Sequence, residues 1–216
     1  TRCVILACVR PLSIPIVQIV FESNYNQIRF KNNKTAGALV SASKNARVDH
    51  NYFGPAAPNG YVDGVSYEIS AFQTCCSSID EDSDPLTLRF EYNVVEHAQS
   101  PYFDPEVIEV KTAGMVIESN IIWSQNADVS LRFSHGSRIA SNYLVGTGII
   151  VHGANHVVAG NYIDGSSLLD TGISMSRWGR RQPANCSTLP PTHSNVIEEN
   201  TVVDTLRFGV RVGDCD

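Results

Sequence analysis

The segment Tyr102–Arg132, YFDPEVIEVKTAGMVIESNIIWSQNADVSLR, carries five carboxylates, one lysine and one arginine among polar residues. Asp104 and Glu106 are two residues apart, as are Glu109 and Lys111. On a strand, each pair points to one face. Lys111 and Arg132 are 21 residues apart, close to the interval at which similar short motifs recur along the chain. At that interval the two cations stand in neighbouring strands, about 4.8 Å apart along the backbone stack. Two cations so close cost free energy unless anions or a metal compensate them, which points to a site. The same charges also fit ordinary outward-facing ion pairs on the wall of a repeat, and spacing alone leaves both readings open.

Other candidates lie further along. His135, His152 and His156 are placed to contact a ligand or a metal, or to satisfy turn backbone. Arg177, Arg180 and Arg181 surround Trp178, a combination that grips an acidic sugar or forms a solvated basic loop. The acidic run Asp80–Asp84 lacks the glycine and terminal glutamate of an EF-hand and reads as a solvated loop. No GxSxG, HExxH or phosphate-loop spacing occurs, so serine hydrolase, zinc protease and nucleotide chemistry are unsupported.

The elements that would position these groups are strands. The chain has 23 Val and 17 Ile against 11 Leu, with 16 Asn and 15 Gly to make turns. Short apolar runs end in Asn followed by an aromatic or branched residue, at Asn51, Asn93, Asn120, Asn142, Asn161 and Asn200. From Asn93 the intervals are 27, 22, 19 and 39 residues. A repeat near twenty residues is the size of one coil of a parallel β-helix, and stacked corner asparagines can satisfy turn backbone as a ladder. The expected architecture is therefore all-β, a single-domain right-handed parallel β-helix over residues 1–216. Residues 71–85 and 177–192 are expected loop excursions. Thr1 and the short stretch before residue 45 leave room for N-terminal sequence lost from a longer chain.

Composition sets the class. Lys and Arg number 16 against 22 Asp and Glu, a net charge of −6, which disfavours a general nucleic-acid binder. With 43% hydrophobic and 18% charged residues the chain is not disordered. The apolar stretch Cys3–Phe21 is broken by Arg10, Pro11, Pro15 and Gln18 and makes a poor membrane span. Six cysteines, none in a CxxC pair, are compatible with secretion and some disulfides, and their pairing stays open among 15 possibilities.

Residues 45–165 resemble polysaccharide lyase family six, the group of alginate lyases and chondroitinase B. The resemblance rests on ARVDHNYFGPAAPNG, PEVIEVKT, VSLRFSHGSRIASNYLVG and GANHVVAGNYIDG, in that order. It implies a β-helix that cleaves an acidic uronate polysaccharide, alginate first, by calcium-assisted β-elimination. It further implies Lys111 as base and Arg132 as acid, with Asp63, Asp104 and Glu106 holding Ca2+. Thr112 is the hydroxyl residue that follows the lysine in this pattern. His135, Arg138, His156 and Arg177 are the expected substrate contacts, with a monomer or homodimer outside the cell and no nucleic-acid or membrane partner. The sequence departs from the pattern where Phe133-Ser134 splits an Arg-His pair, and where Tyr67-Glu68-Ile69 and Gly148–His152 stand in place of arginine-bearing strands. The alternatives are a uronate C5-epimerase and a glycan-binding or structural protein without turnover.

Overall fold

The computed structural model describes residues 2–7, 17–22, 29–31, 34–35, 37–41, 47–53, 61–62, 65–66, 72–75, 88–97, 106–175 and 192–213. Regular structure among them is strand throughout, as the excess of Val and Ile requires. Among the described residues no helix is long and apolar enough to cross a membrane.

One corner motif recurs and sets the stacking. His50, Tyr92, Ser119, Ser141, Gly160 and Glu199 all have φ between 54° and 61° or close to it, in the left-handed region. Each is followed by the asparagine singled out above. The Asn51 amide N–H donates to Asn93 Oδ1, Asn93 to Asn120, Asn120 to Asn142, Asn142 to Asn161 and Asn161 to Asn200, all at 2.9–3.0 Å. From Asn93 onward each Nδ2 also donates to a strand carbonyl of the level before, as Asn142 does to Ile117 O at 3.0 Å, whereas Asn51 Nδ2 donates to Asp49 O on its own level. A sharp corner leaves backbone groups with no strand partner, and these buried amides satisfy them.

The corners hold the strands in parallel register, so inward side chains form columns. Val48, Phe90, Ile117, Ile139 and Val158 lie in one. Phe53, Val95, Ile122, Leu144 and Ile163 form a second, and Phe72, Ile108, Val129, Ile149 and Ile173 a third. All are buried. Phe90 ties the columns together, with its ring centroid 5.4 Å from Phe53 and 4.7 Å from Phe72. At about 1.5–3 kcal/mol per buried large apolar side chain, these columns are the main favourable term. Phe72 also explains why part of the expected 71–85 loop is a strand, Phe72–Cys75. Residues 76–87 and 176–191 lie outside the described set, as do the side chains of the six cysteines.

The expectation of a repeating right-handed parallel β-helix is corrected by the way the sheets close. One sheet has seven parallel strands in the spatial order Val196–Glu198, Val157–Ala159, Arg138–Ala140, Val116–Glu118, Arg89–Glu91, Arg47–Asp49 and Arg29–Lys31, and it curls into a half-barrel. The other sheet is fourteen-stranded and branched. Its strand Ile121–His135 is 15 residues long and pairs with Val94–His97 through its first part and with Glu106–Glu109 through its second. Tyr143–Ala154, 12 residues long, follows it through both parts. These strands run through positions where a uniform coil would turn, and fuse two faces into one sheet. Irregular register between Trp123 and Ala127 takes up the bend. Arg2–Ala7 with Val17–Glu22, and Tyr61–Val62 with Val65–Ser66, are antiparallel. The result is an all-β, single-domain topology without a repeating solenoid.

The ladder should be costly to break. Asn142→Ala strips the acceptor from the Asn120 N–H and the donor from Ile117 O, both buried, and is expected to lose about 3 kcal/mol. Ser141→Gly, which relieves a φ of 55°, should be neutral or stabilising. Urea unfolding of the two variants beside the parent chain reads both effects, and a stability equal to the parent's in Asn142→Ala contradicts the role given to the ladder.

Candidate functional site

The register of the fused sheet builds the site. Glu106 lies opposite Asp128, and Glu109 opposite Ser130, which lies opposite Ile150 and then Ser174. Ile108 and Val110, Val129 and Leu131, and Ile149 and Val151 fill the core. By alternation Glu109 and Lys111, Ser130 and Arg132, and Ile150 and His152 face the other way. Arg132 and His152 therefore stand on neighbouring strands beside the row of Glu109, Ser130 and Ile150, with Lys111 two residues past the end of the strand Glu106–Glu109.

Distances within this patch are short. Lys111 Nζ lies 2.6 Å from Glu109 Oε1, and Arg132 Nη1 lies 3.5 Å from the same oxygen. Arg132 Nη1 is also 3.8 Å from Glu106 Oε2. Glu109 is fully buried, whereas the side chains of Lys111 and Arg132 keep 27% and 26% exposure. The pair thus has one end anchored in the protein and one end in reach of solvent. The Lys111 amide donates to Thr74 Oγ1 at 3.0 Å, and Thr112 Oγ1 donates to the same oxygen at 3.1 Å. Both threonines are buried, so the backbone beneath Lys111 is tied to the preceding strand.

A bulge sets the direction of Arg132. Leu131 pairs with Val151 and Ser134 with Gly153, so three steps on one strand match two on the next. Arg132 and the residue after it therefore stand opposite His152 alone. The insertion noticed at Phe133-Ser134 is absorbed here. Ser134 and His135 are buried at the end of the strand, and neither Ser130 Oγ, Ser134 Oγ nor His135 Nδ1 has a hydrogen-bond partner among the described residues.

The other expected residues are dispersed. Arg138 lies on the seven-stranded sheet, with Nε 3.8 Å from Glu118 Oε1, and does not join Lys111 and Arg132. His156 belongs to a second corner ladder. The Met115 N–H donates to Ser137 Oγ, the Ser137 N–H to His156 Nδ1, and the His156 N–H to Asn195 Oδ1. Left-handed Gly114, Gly136, Asn155 and Ser194 precede these four residues, the same pattern as at the asparagine corners. With Nδ1 accepting, Nε2 carries the proton and donates to Ser134 O and His152 O at 3.1 and 2.9 Å. This ring is fully buried and serves backbone. Arg177, Asp63 and Asp104 lie outside the described residues.

Of the expected calcium ligands, Glu106 is thus the one described. Among the described residues no group of three His, Cys, Asp or Glu side chains is placed to hold a metal ion. Glu106 and Asp128 supply two buried carboxylates, and these alone do not build a calcium site. Asp128 escapes a reading of the sequence because register shifts on both sides of it hide its pairing. Glu109 was visible as the acid two residues before Lys111, though not as the shared partner of both cations.

No family model matches the chain, and neither a curated protein nor a solved structure matches it.

The ladder histidine carries a pH dependence. Burial, which outweighs the ring's hydrogen bonds to backbone and is reinforced by nearby His135, lowers His156 from 6.5 to about 4. The unfolded chain therefore binds this proton more readily than the folded one between those values. Its contribution is fully present above about pH 6.5 and is lost as the pH falls towards 4, to a total of about 3 kcal/mol at 1.36 kcal/mol per pKa unit. His156→Asn keeps an acceptor at the δ position and has no proton to gain. The stability difference between parent and variant should shift in the variant's favour by about that amount between pH 7 and pH 4. Parallel pH profiles for the two proteins would remove His156 from this role.

Proposed function

We propose that the Lys111–Arg132 row is the catalytic centre of a lyase that cleaves a uronate-containing acidic polysaccharide, with alginate the first substrate to test. The observation that carries this reading is the shared carboxylate: two cations from neighbouring strands meet on buried Glu109 while remaining open to solvent on the same face. The resemblance of Glu106, Lys111, Thr112 and Arg132 to polysaccharide lyase family six supports it.

β-Elimination asks for a base, a positive charge and help for a leaving oxygen. The C5 proton of a uronate is a weak acid because the adjacent carboxylate is already negative. Arg132 meets that carboxylate with a planar guanidinium and stabilises the charge that develops as the proton leaves. The amine form of Lys111 takes the proton. The C5–H electrons form the C4–C5 double bond as the C4–O4 bond breaks. Arginine holds its proton above about pH 12, so Arg132 assists O4 by charge and water delivers the proton. The chain's net charge of −6 opposes a polyanion, and local positive charge in this row is what draws the polymer in. Such a polymer is met outside the cell, and the enzyme is proposed to act there. The calcium implied by the resemblance would take Glu106 with carboxylates outside the described residues.

Ultraviolet absorbance with alginate, and in parallel with dermatan sulfate, follows the unsaturated product. The parent chain should give a rising trace, and Lys111→Ala should lower the rate about a thousandfold while keeping its unfolding curve. A chelator arm separates calcium-assisted from calcium-independent cleavage. Retained turnover in Lys111→Ala removes Lys111 as base. A flat trace from the folded parent chain on both polymers favours glycan binding without turnover, or a C5-epimerase, which product analysis then separates.

A further inference from the structure

We infer that Glu109 is a positioning residue whose buried carboxylate clamps Lys111 and Arg132 into one cationic pair. Its importance to catalysis rests on the lyase reading, but the clamp itself does not. Glu109 stands on a strand between Ile108 and Val110, both fully buried in the core, and points away from them. The Glu109 side chain is 0% exposed, and its neighbours in that row, Ser130, Ile150 and Ser174, are buried with it. An ionised carboxylate survives such burial only when cations and hydrogen bonds replace its water. Lys111 Nζ at 2.6 Å and Arg132 Nη1 at 3.5 Å do so on a single oxygen, Oε1. From Gln73 the Glu109 row continues through Ser130, Ile150 and Ser174 to Arg211, so Glu109 is the acid in it, on the level of Lys111 and one level from Arg132.

The clamp addresses a definite physical problem. Lys111, just past the strand Glu106–Glu109, and Arg132 on the neighbouring strand converge on Glu109, where like charges repel and would splay the two long side chains apart. A shared anion beneath them replaces that repulsion with attraction towards one point. It also restricts side chains that otherwise sample many rotamers. Arg132 has a further contact with Glu106 at 3.8 Å, and Lys111 makes its short contact with Glu109. Removing Glu109 should therefore release that short contact of Lys111.

Trace acetylation with acetic anhydride, read lysine by lysine by mass spectrometry, tests this on the full chain without any substrate. In Glu109→Gln, which keeps the shape and removes the charge, acetylation of Lys111 relative to the other lysines should rise at least threefold. Glu118→Gln, which alters the ion pairs of Arg89 and Arg138 instead, should leave Lys111 at its parental level. Unchanged Lys111 labelling in folded Glu109→Gln overturns the clamp. If that variant does not fold, Glu109→Asp keeps the buried charge but withdraws it by one methylene. Lys111 labelling should then rise above the parental level, and a parental level overturns the proposal. A parent chain without turnover counts against the lyase reading, and the labelling then decides the clamp.

Discussion

The structure depends on satisfying backbone at sharp corners in a stack of parallel strands. A chain that turns by way of a left-handed residue leaves amides and carbonyls inside the protein with no strand partner. Asn51 through Asn200 answer this with side chains that accept from one level and donate to another. Ser137, His156 and Asn195 answer it at a second corner with three different chemistries. Because each corner is bonded to the next, register is fixed along the stack, and a slip of one residue would turn every core side chain outward. That rigidity is what allows side chains some twenty residues apart to meet at ångström distances.

The candidate site uses the register and then departs from it locally. Parallel pairing puts Glu106 beside Asp128, and Lys111 and Arg132 meet on the same Glu109 oxygen. Each pairing alone is unfavourable, and the arrangement holds because the acidic and basic rows are neighbours, with Glu109 between them. The bulge at Arg132 and the irregularity between Glu106 and Ile108 fall within this patch. Bulges re-aim side chains without breaking a sheet, and their concentration here fits a surface shaped around something other than packing. Gly153 shows how tight the stack is beside it, since a Cβ there would lie 2.1 Å from Ser134 O.

Much of this was legible in the sequence, for identifiable reasons. The asparagine corners announced themselves because one residue type repeats where the same backbone problem repeats. The proximity of Lys111 and Arg132 followed from an interval of 21 residues, since a register bonded at every corner preserves such intervals. Closure of the sheets was not legible. The strand Ile121–His135 continues through an irregular register between Trp123 and Ala127, and this fuses two faces and leaves the other sheet curled as a half-barrel in place of a repeating coil. His156 carried no mark separating a ligand from a backbone acceptor, because its role depends on the left-handed Asn155 before it. Arg138 was expected from the family resemblance alone, and it falls on the other sheet.

The central claim is that the Lys111–Arg132 row is the surface that meets an acidic polysaccharide. The most direct measurement is an amide chemical-shift map on addition of a short alginate oligosaccharide to the folded, 15N-labelled chain. The account predicts the largest shifts at residues 109–111 and 130–132, with the asparagine corners undisturbed. Saturable shifts centred on the seven-stranded sheet around Arg89 and Arg138, or none at millimolar oligosaccharide, would contradict it.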